Sequence, residues 1–167
     1  KPGALNVASG SPGSGSHLAA EMFNALASVD TVRVPYAGAP PAITALLGNQ
    51  VQVMFASPST IQEHIKSGKV RALATTGQEP SPLQPDLPTV GAVVPDFEVE
   101  AVTAMFAPAG TPSAIISRLN QEFVRALNQS EVKGKLFDAG LIVSTGTPDQ
   151  LSAFMKADLA RTAKVLK

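Results

Sequence analysis

The stretch Leu5–Leu18, LNVASGSPGSGSHL, constrains the fold of this chain more than any other. A short apolar run passes into Ser9–Ser16, where only Gly and Ser surround Pro12, and that loop opens into an amphipathic segment. A strand, then small residues, then a helix start is how α/β proteins hold small anions. Free backbone N–H groups and the positive end of the helix dipole converge on one point. Small side chains let a ligand come close to the backbone. The feature therefore predicts binding of a small acid.

The alternation begun there continues. Strand Leu5–Ser9 and loop Gly10–Ser16 lead to helix His17–Ser28, with Ser16 as the expected N-cap. Leu18, Met22 and Leu26 make its apolar face, with Phe23 beside it. Thr31–Val34 reads as the second strand and Pro40–Leu47 as the second helix, ended by Gly48. Val51–Phe55 is a third strand, Pro58–Ser67 a third helix started by Ser57 or Pro58, and Val70–Thr75 a fourth strand. Short apolar strands separated by helices predict a parallel sheet with helices on its faces.

The texture changes where Pro80, Pro82, Pro85, Pro88 and Pro95 crowd a region without periodicity, which reads as a long crossing connection. Beyond it, Val99–Phe106 reads as one long strand. A helix follows, capped by Thr111 with Pro112 at its first position and an apolar stripe of Ile116, Leu119, Phe123 and Leu127. A short helix runs from Ser130 to Gly140, and Leu141–Val143 reads as a brief strand. Thr147-Pro148-Asp149-Gln150 is a capping box that opens a last helix, with Leu151, Met155, Leu159, Thr162 and Leu166 on one side. One long strand, one short strand and three helices make a poor sheet, so this half is expected to lack partner surface.

With 167 residues, 44% of them hydrophobic, the chain can bury the core of one domain or two small lobes. Thirteen basic residues balance thirteen acidic ones, so the bulk attraction that brings proteins to nucleic acid or anionic membrane is absent. The lack of Cys removes disulfides and thiolate metal sites, and two His without a carboxylate cluster argue against any metal site. No apolar run reaches the ~20 residues of a membrane span. Lys1-Pro2-Gly3 leads straight into a strand, without the apolar core of a signal peptide.

Gly10 and Gly15 have phosphate-loop spacing, but Ser16-His17 stands where the Lys-Ser/Thr pair should follow, so nucleoside triphosphate binding is not expected. No Ser lies in a nucleophile elbow, and no Ser, His and acid can be placed together, so no enzyme is expected and no cofactor is implied. His17, at the helix start, either donates to a ligand or ties the loop down; His64 reads as surface. Tyr36 ends the second strand before Ala37-Gly38. Ligands of open α/β sheets sit outside the carboxyl ends of strands, and the loops 9–16, 35–39 and 56–58 all fall at that edge.

These residues resemble a known family, the periplasmic solute receptors of tripartite tricarboxylate transporters, or Bug proteins. The phrases that carry the resemblance are LNVASGSPGSGSHLAAEMF, VRVPYAGAPPAITALLGNQVQVMF, IKSGKVRALATTG, LPTVGAVVPDFEVEA, FAPAGTPSAIISRLNQEFVRAL and TPDQLSAFMKADLARTAKVLK, which together span essentially the whole chain. The resemblance implies an α/β, type 2 periplasmic-binding fold of two lobes that close on ligand. Residues 1–97 match a complete middle, parallel-sheet lobe, and 98–167 match the C-terminal part of the other lobe, without the family's N-terminal segment. It also implies a periplasmic, non-enzymatic receptor for a small carboxylate that delivers it to transporter membrane subunits.

Carried over by position, Ser9, Gly10, Ser11, Gly13 and Ser14 form the carboxylate-facing loop, with His17 at its end. Tyr36 with Gly38 is the second contact, and the position after Phe55, here Ala56 followed by Ser57, is the third. Many members carry Asp where this chain has Ala56, and often Lys where it has Ala37. With no anion waiting for an ammonium group, an amino-acid ligand is disfavoured, and an uncharged or second-acid end favoured. The alternative reading is a half-receptor without transport, acting as a sensor or interaction module, with homodimerisation covering the incomplete lobe.

Overall fold

The computed structural model describes residues 3–165; Lys1, Pro2, Leu166 and Lys167 lie outside the described residues, and with them parts of the expected start and of the last helical stripe. The chain divides into two compact units, Lys1–Ala101 with Thr162–Lys167, and Val102–Arg161.

The first unit carries a three-stranded parallel sheet of order β2-β1-β3, formed by β1 (Asn6–Ser9), β2 (Val32–Pro35) and β3 (Val53–Met54). Helices α1 (Gly15–Ala27), α2 (Ala39–Leu47) and α3 (Pro58–Lys66) follow the three strands in turn. The central strand is covered on both faces: Val7, Ala8 and Ser9 are all at most 1% exposed. Successive strand residues point to opposite faces, and two cores result. Ala8 packs with Ala42, Ala45 and Val51 beneath α2, with Val34, Tyr36, Leu46 and Met54 around them. The other core joins Ala19 and Met22 of α1 to Val90, Val94 and Phe97, with the rings of Phe23, Phe55 and Phe97 in mutual contact, centroids 6.0–6.2 Å apart. The Pro-rich connection is thus more than a crossing: Val90 of its short 3-10 turn, Val90–Ala92, and Val94 and Phe97 just after it enter the core.

Three expected strands do not form. Of Val70–Thr75, only Thr75 makes a bridge, parallel to Thr89. The sheet ends at β3, which pairs with β1 over only two residues. Val99–Phe106 and Leu141–Val143 find no ladder among the described residues. Val102, Met105, Phe106 and Ile142 stay exposed, so apolar character without a neighbouring strand left them irregular.

The second unit holds α4 (Ser113–Leu127), α5 (Ser130–Asp138) and most of α6 (Pro148–Val165). Pro112 is the N-cap of α4, one residue later than expected; the Thr111 hydroxyl instead donates to the Pro108 carbonyl at 2.8 Å. The capping box of α6 forms in both directions, Thr147 N–H to Gln150 Oε1 at 2.8 Å and Gln150 N–H to Thr147 Oγ1 at 3.2 Å. The Asn120 amide donates to the Gly146 carbonyl at 2.9 Å, tying α4 to the approach of α6. No residue of α4 or α5 is fully buried.

Candidate functional site

The three parallel strands end at one edge of the sheet, and each is followed there by a helix N-terminus. The register places Ser9 beside Pro35 and Ala8 beside Met54, so the segments 10–14, 36–38 and 55–57 leave from neighbouring strand ends.

The first segment is held by its own side chains. The N-cap of α1 is Ser14, two residues before the expected Ser16, and its hydroxyl accepts the His17 N–H at 3.4 Å. Ser16 turns back instead: its hydroxyl accepts the Gly10 N–H at 2.9 Å and lies 3.3 Å from Ser14 Oγ. The local reason is space. A Cβ at Gly10 would come within 2.9 Å of Ser14 Oγ, so glycine leaves this fold-back its room without moving that hydroxyl. Gly13, at φ +81°, takes the left-handed conformation that side chains disfavour, and its N–H donates to His17 Nδ1 at 2.9 Å. With Nδ1 accepting, the proton of neutral His17 sits on Nε2, 3.5 Å from Glu21 Oε1.

The amides of Gly10 and Gly13 are therefore already engaged within the loop. Among the described residues no hydrogen bond leaves the Ser11, Gly15 or Ser16 N–H, the last two being first-turn amides that a helix leaves without internal acceptors. Ser11 and Gly15 are exposed; Ser14 and Ser16 are half-buried. Ser9 is 1% exposed, and its hydroxyl donates to the Gly10 carbonyl at 3.2 Å and accepts from Arg33 Nη1 at 3.1 Å.

Tyr36 continues the ladder through its N–H to the Ser9 carbonyl at 2.8 Å, while its ring packs half-buried in the core under α2. Gly38, at φ +104°, is the N-cap of α2 without a side-chain cap. Ser57 is the N-cap of α3; its carbonyl takes the Thr60 N–H and hydroxyl, and its own hydroxyl lies 3.0 Å from Ser59 Oγ. Ala56 brings no charge to this edge.

Sequence reasoning passed over Arg33 and Glu21. Arg33 stands opposite Val7, and its Nε lies 3.7 Å from the same Glu21 Oε1 that faces His17. The signal was present in the strand's alternation, which puts Arg33 on the α1 face, and in the four-residue spacing of His17 and Glu21. A shallow groove elsewhere, between α2 and α3, is lined by Ala39, Pro40, Ile43, Thr44, Leu47, Thr60 and His64 and includes no loop residue. No cluster of three or more His, Asp or Glu could hold a metal among the described residues.

The family model of the tripartite tricarboxylate transporter family receptor matches residues 1–167. A UPF0065 protein from the tcbD-tcbE intergenic region of a Pseudomonas species is 34% identical, over 99% of this chain and 50% of its own length. One from the clcB-clcD intergenic region of Pseudomonas knackmussii is 34% identical over 92% of each. Among solved structures, a Rhodopseudomonas palustris protein with adipate matches with a TM-score of 0.89 at 28% identity, covering 99% of this chain and 56% of the other. MatC from the same species, with bound malate, matches at 0.82 and 36%, covering 99% and 57%. The periplasmic binding protein BugD matches at 0.84 and 30%, covering 98% and 56%. The chain thus spans about half the length of the first of these relatives and of the solved neighbours, and its parallel α/β architecture is part of the periplasmic-binding fold. It belongs to the tripartite tricarboxylate transporter receptor family.

Proposed function

We propose that this chain is the ligand-contacting part of an extracytoplasmic solute receptor for a small carboxylate, acting by binding and not by catalysis. The observation that carries the reading is the β1–α1 loop, where the Ser11, Gly15 and Ser16 amides and the Ser11 and Ser14 hydroxyls stand at the positive end of a helix. Relatives with the same architecture hold adipate and malate, both acids with two carboxylates. Gly10 and Gly13 shape this loop, and Tyr36, Gly38, Ala56 and Ser57 supply the neighbouring rim. Because Ala56 offers no anion, a second carboxylate suits this rim better than an ammonium group. Ligand binding closes a lobe in this reading, and the closed form hands the acid to membrane transporter subunits. No helix among the described residues is long and apolar enough to cross a membrane.

Isothermal titration with malate, adipate and glutamate tests the reading. Binding of either dicarboxylate, tighter than glutamate, supports it; heat signals from none of the three remove it. A second reading, an interaction module without transport, is favoured by the exposed Ile115, Leu119 and Phe123 on α4. A mass that doubles with concentration, in a chain that binds no acid, would select it.

A further inference from the structure

We propose that Arg33 and Glu21 are positioning residues of the Gly10–Ser16 loop, fixing its start and its middle through Ser9 and His17. The inference rests on the loop being the ligand contact, but its decisive test needs no ligand. The connections run in one sequence. Arg33 Nη1 donates to Ser9 Oγ at 3.1 Å, where β1 becomes the loop. The Ser9 hydroxyl donates onward to the Gly10 carbonyl at 3.2 Å. Arg33 Nε lies 3.7 Å from Glu21 Oε1, and the same oxygen lies 3.5 Å from His17 Nε2. His17 Nδ1 accepts the Gly13 N–H at 2.9 Å, in the middle of the loop.

One carboxylate thus faces two groups, one gripping the start of the loop through Ser9 and one its middle through Gly13. Glu21 orients the guanidinium toward Ser9 and favours the His17 tautomer with Nε2 protonated, the form whose Nδ1 can accept from Gly13. The side chains of His17, Glu21 and Arg33 are 20%, 39% and 27% exposed, sheltered enough to hold geometry without being desolvated ions. The fork of arginine matters because one end serves Ser9 and another Glu21; a lysine ammonium can meet only one at a time in that geometry. A relay that presets the loop lowers the ordering cost of binding, the general route by which preorganisation raises affinity.

The test is amide exchange at Gly10 and Gly13 together with the imidazole 15N signals of His17, in the ligand-free chain. The variants are Arg33→Gln, Arg33→Lys, Glu21→Gln and Ser9→Ala. The expected result is an Nε2-protonated His17 in the parent and exchange at Gly10 and Gly13 faster by roughly tenfold in Arg33→Gln and Glu21→Gln. Arg33→Lys falls between, and combining Arg33→Gln with Glu21→Gln adds little to either single change, because the two act as a unit. Exchange at Val7 and Ala8 in the core stays at the parent rate. Unchanged Gly10 and Gly13 rates in Arg33→Gln, or rates that rise only in step with Val7 and Ala8, overturn the proposal. Should Arg33→Gln fail to fold, Ser9→Ala and Glu21→Gln decide it by the same criterion. Malate is then titrated into each variant. A parent chain that ignores malate counts against the carboxylate reading, whereas the exchange rates alone decide the role of Arg33 and Glu21.

Discussion

Gly13 shows how much one residue of this loop has to do. At φ +81° an alanine would carry the left-handed penalty of about 1 kcal/mol. No heavy atom lies within 4 Å of the added methyl, so strain and not collision sets the cost. Gly13→Ala is therefore expected to lower stability by about 1 kcal/mol in urea unfolding and to weaken malate binding in titration; equal stability and equal binding would remove the conformational argument. Gly10 is limited by collision, since its Cβ would meet Ser14 Oγ, a contact that rotation of one hydroxyl can relieve. At His17 the sequence left two readings open, a ligand donor or a tie, and the structure shows the tie to Gly13. Strand alternation gives the face of Arg33, but its partners follow from a cross-strand register and a helix face that meet only in three dimensions.

The helices were legible because their signals are local. Gly48 ends α2, Ser57 starts α3, and the box at Thr147–Gln150 closes on α6, each from residues within one turn of one another. Breaking the box by Thr147→Ala should cost about 1 kcal/mol. Helical circular dichroism during thermal unfolding would register it, and an unchanged midpoint would mean that α6 is fixed by packing alone. Boundaries within Ser-rich runs were harder: Ser14 and Ser16 are chemically equal caps, and the fold-back of Ser16 onto Gly10 decided between them. Strands failed where helices succeeded because a strand requires a neighbour that its own sequence does not specify. Val70–Thr75 has strand composition, yet it pairs only at Thr75, while Val90, Val94 and Phe97, in a segment without periodicity, entered the core.

At the scale of the whole molecule, the two units differ in what they bury. In the first, Met22, Val7 and Val51 are nearly inaccessible, each side chain contributing about 1.5–3 kcal/mol of hydrophobic stabilisation. In the second, Ile115, Leu119 and Phe123 of α4 remain exposed along one stripe, and Phe137 and Leu159 are exposed as well. The chain also carries thirteen positive and thirteen negative residues, so no net charge opposes association near neutral pH. Exposed apolar surface without electrostatic repulsion predicts a mass that rises with concentration in analytical ultracentrifugation. Leu119→Lys with Phe123→Lys should restore a monomer, and since both side chains are already exposed, the melting temperature should change by no more than a surface substitution warrants. The double variant separates two uses of the same face. If it becomes monomeric and still binds malate, association is incidental to the loop at the carboxyl edge of the sheet. If it becomes monomeric and loses malate together with its melting transition, the stripe supports the fold of the second unit. A parent chain that stays monomeric at every concentration would show that this apolar face does not drive self-association, and the interaction-module reading would lose its support.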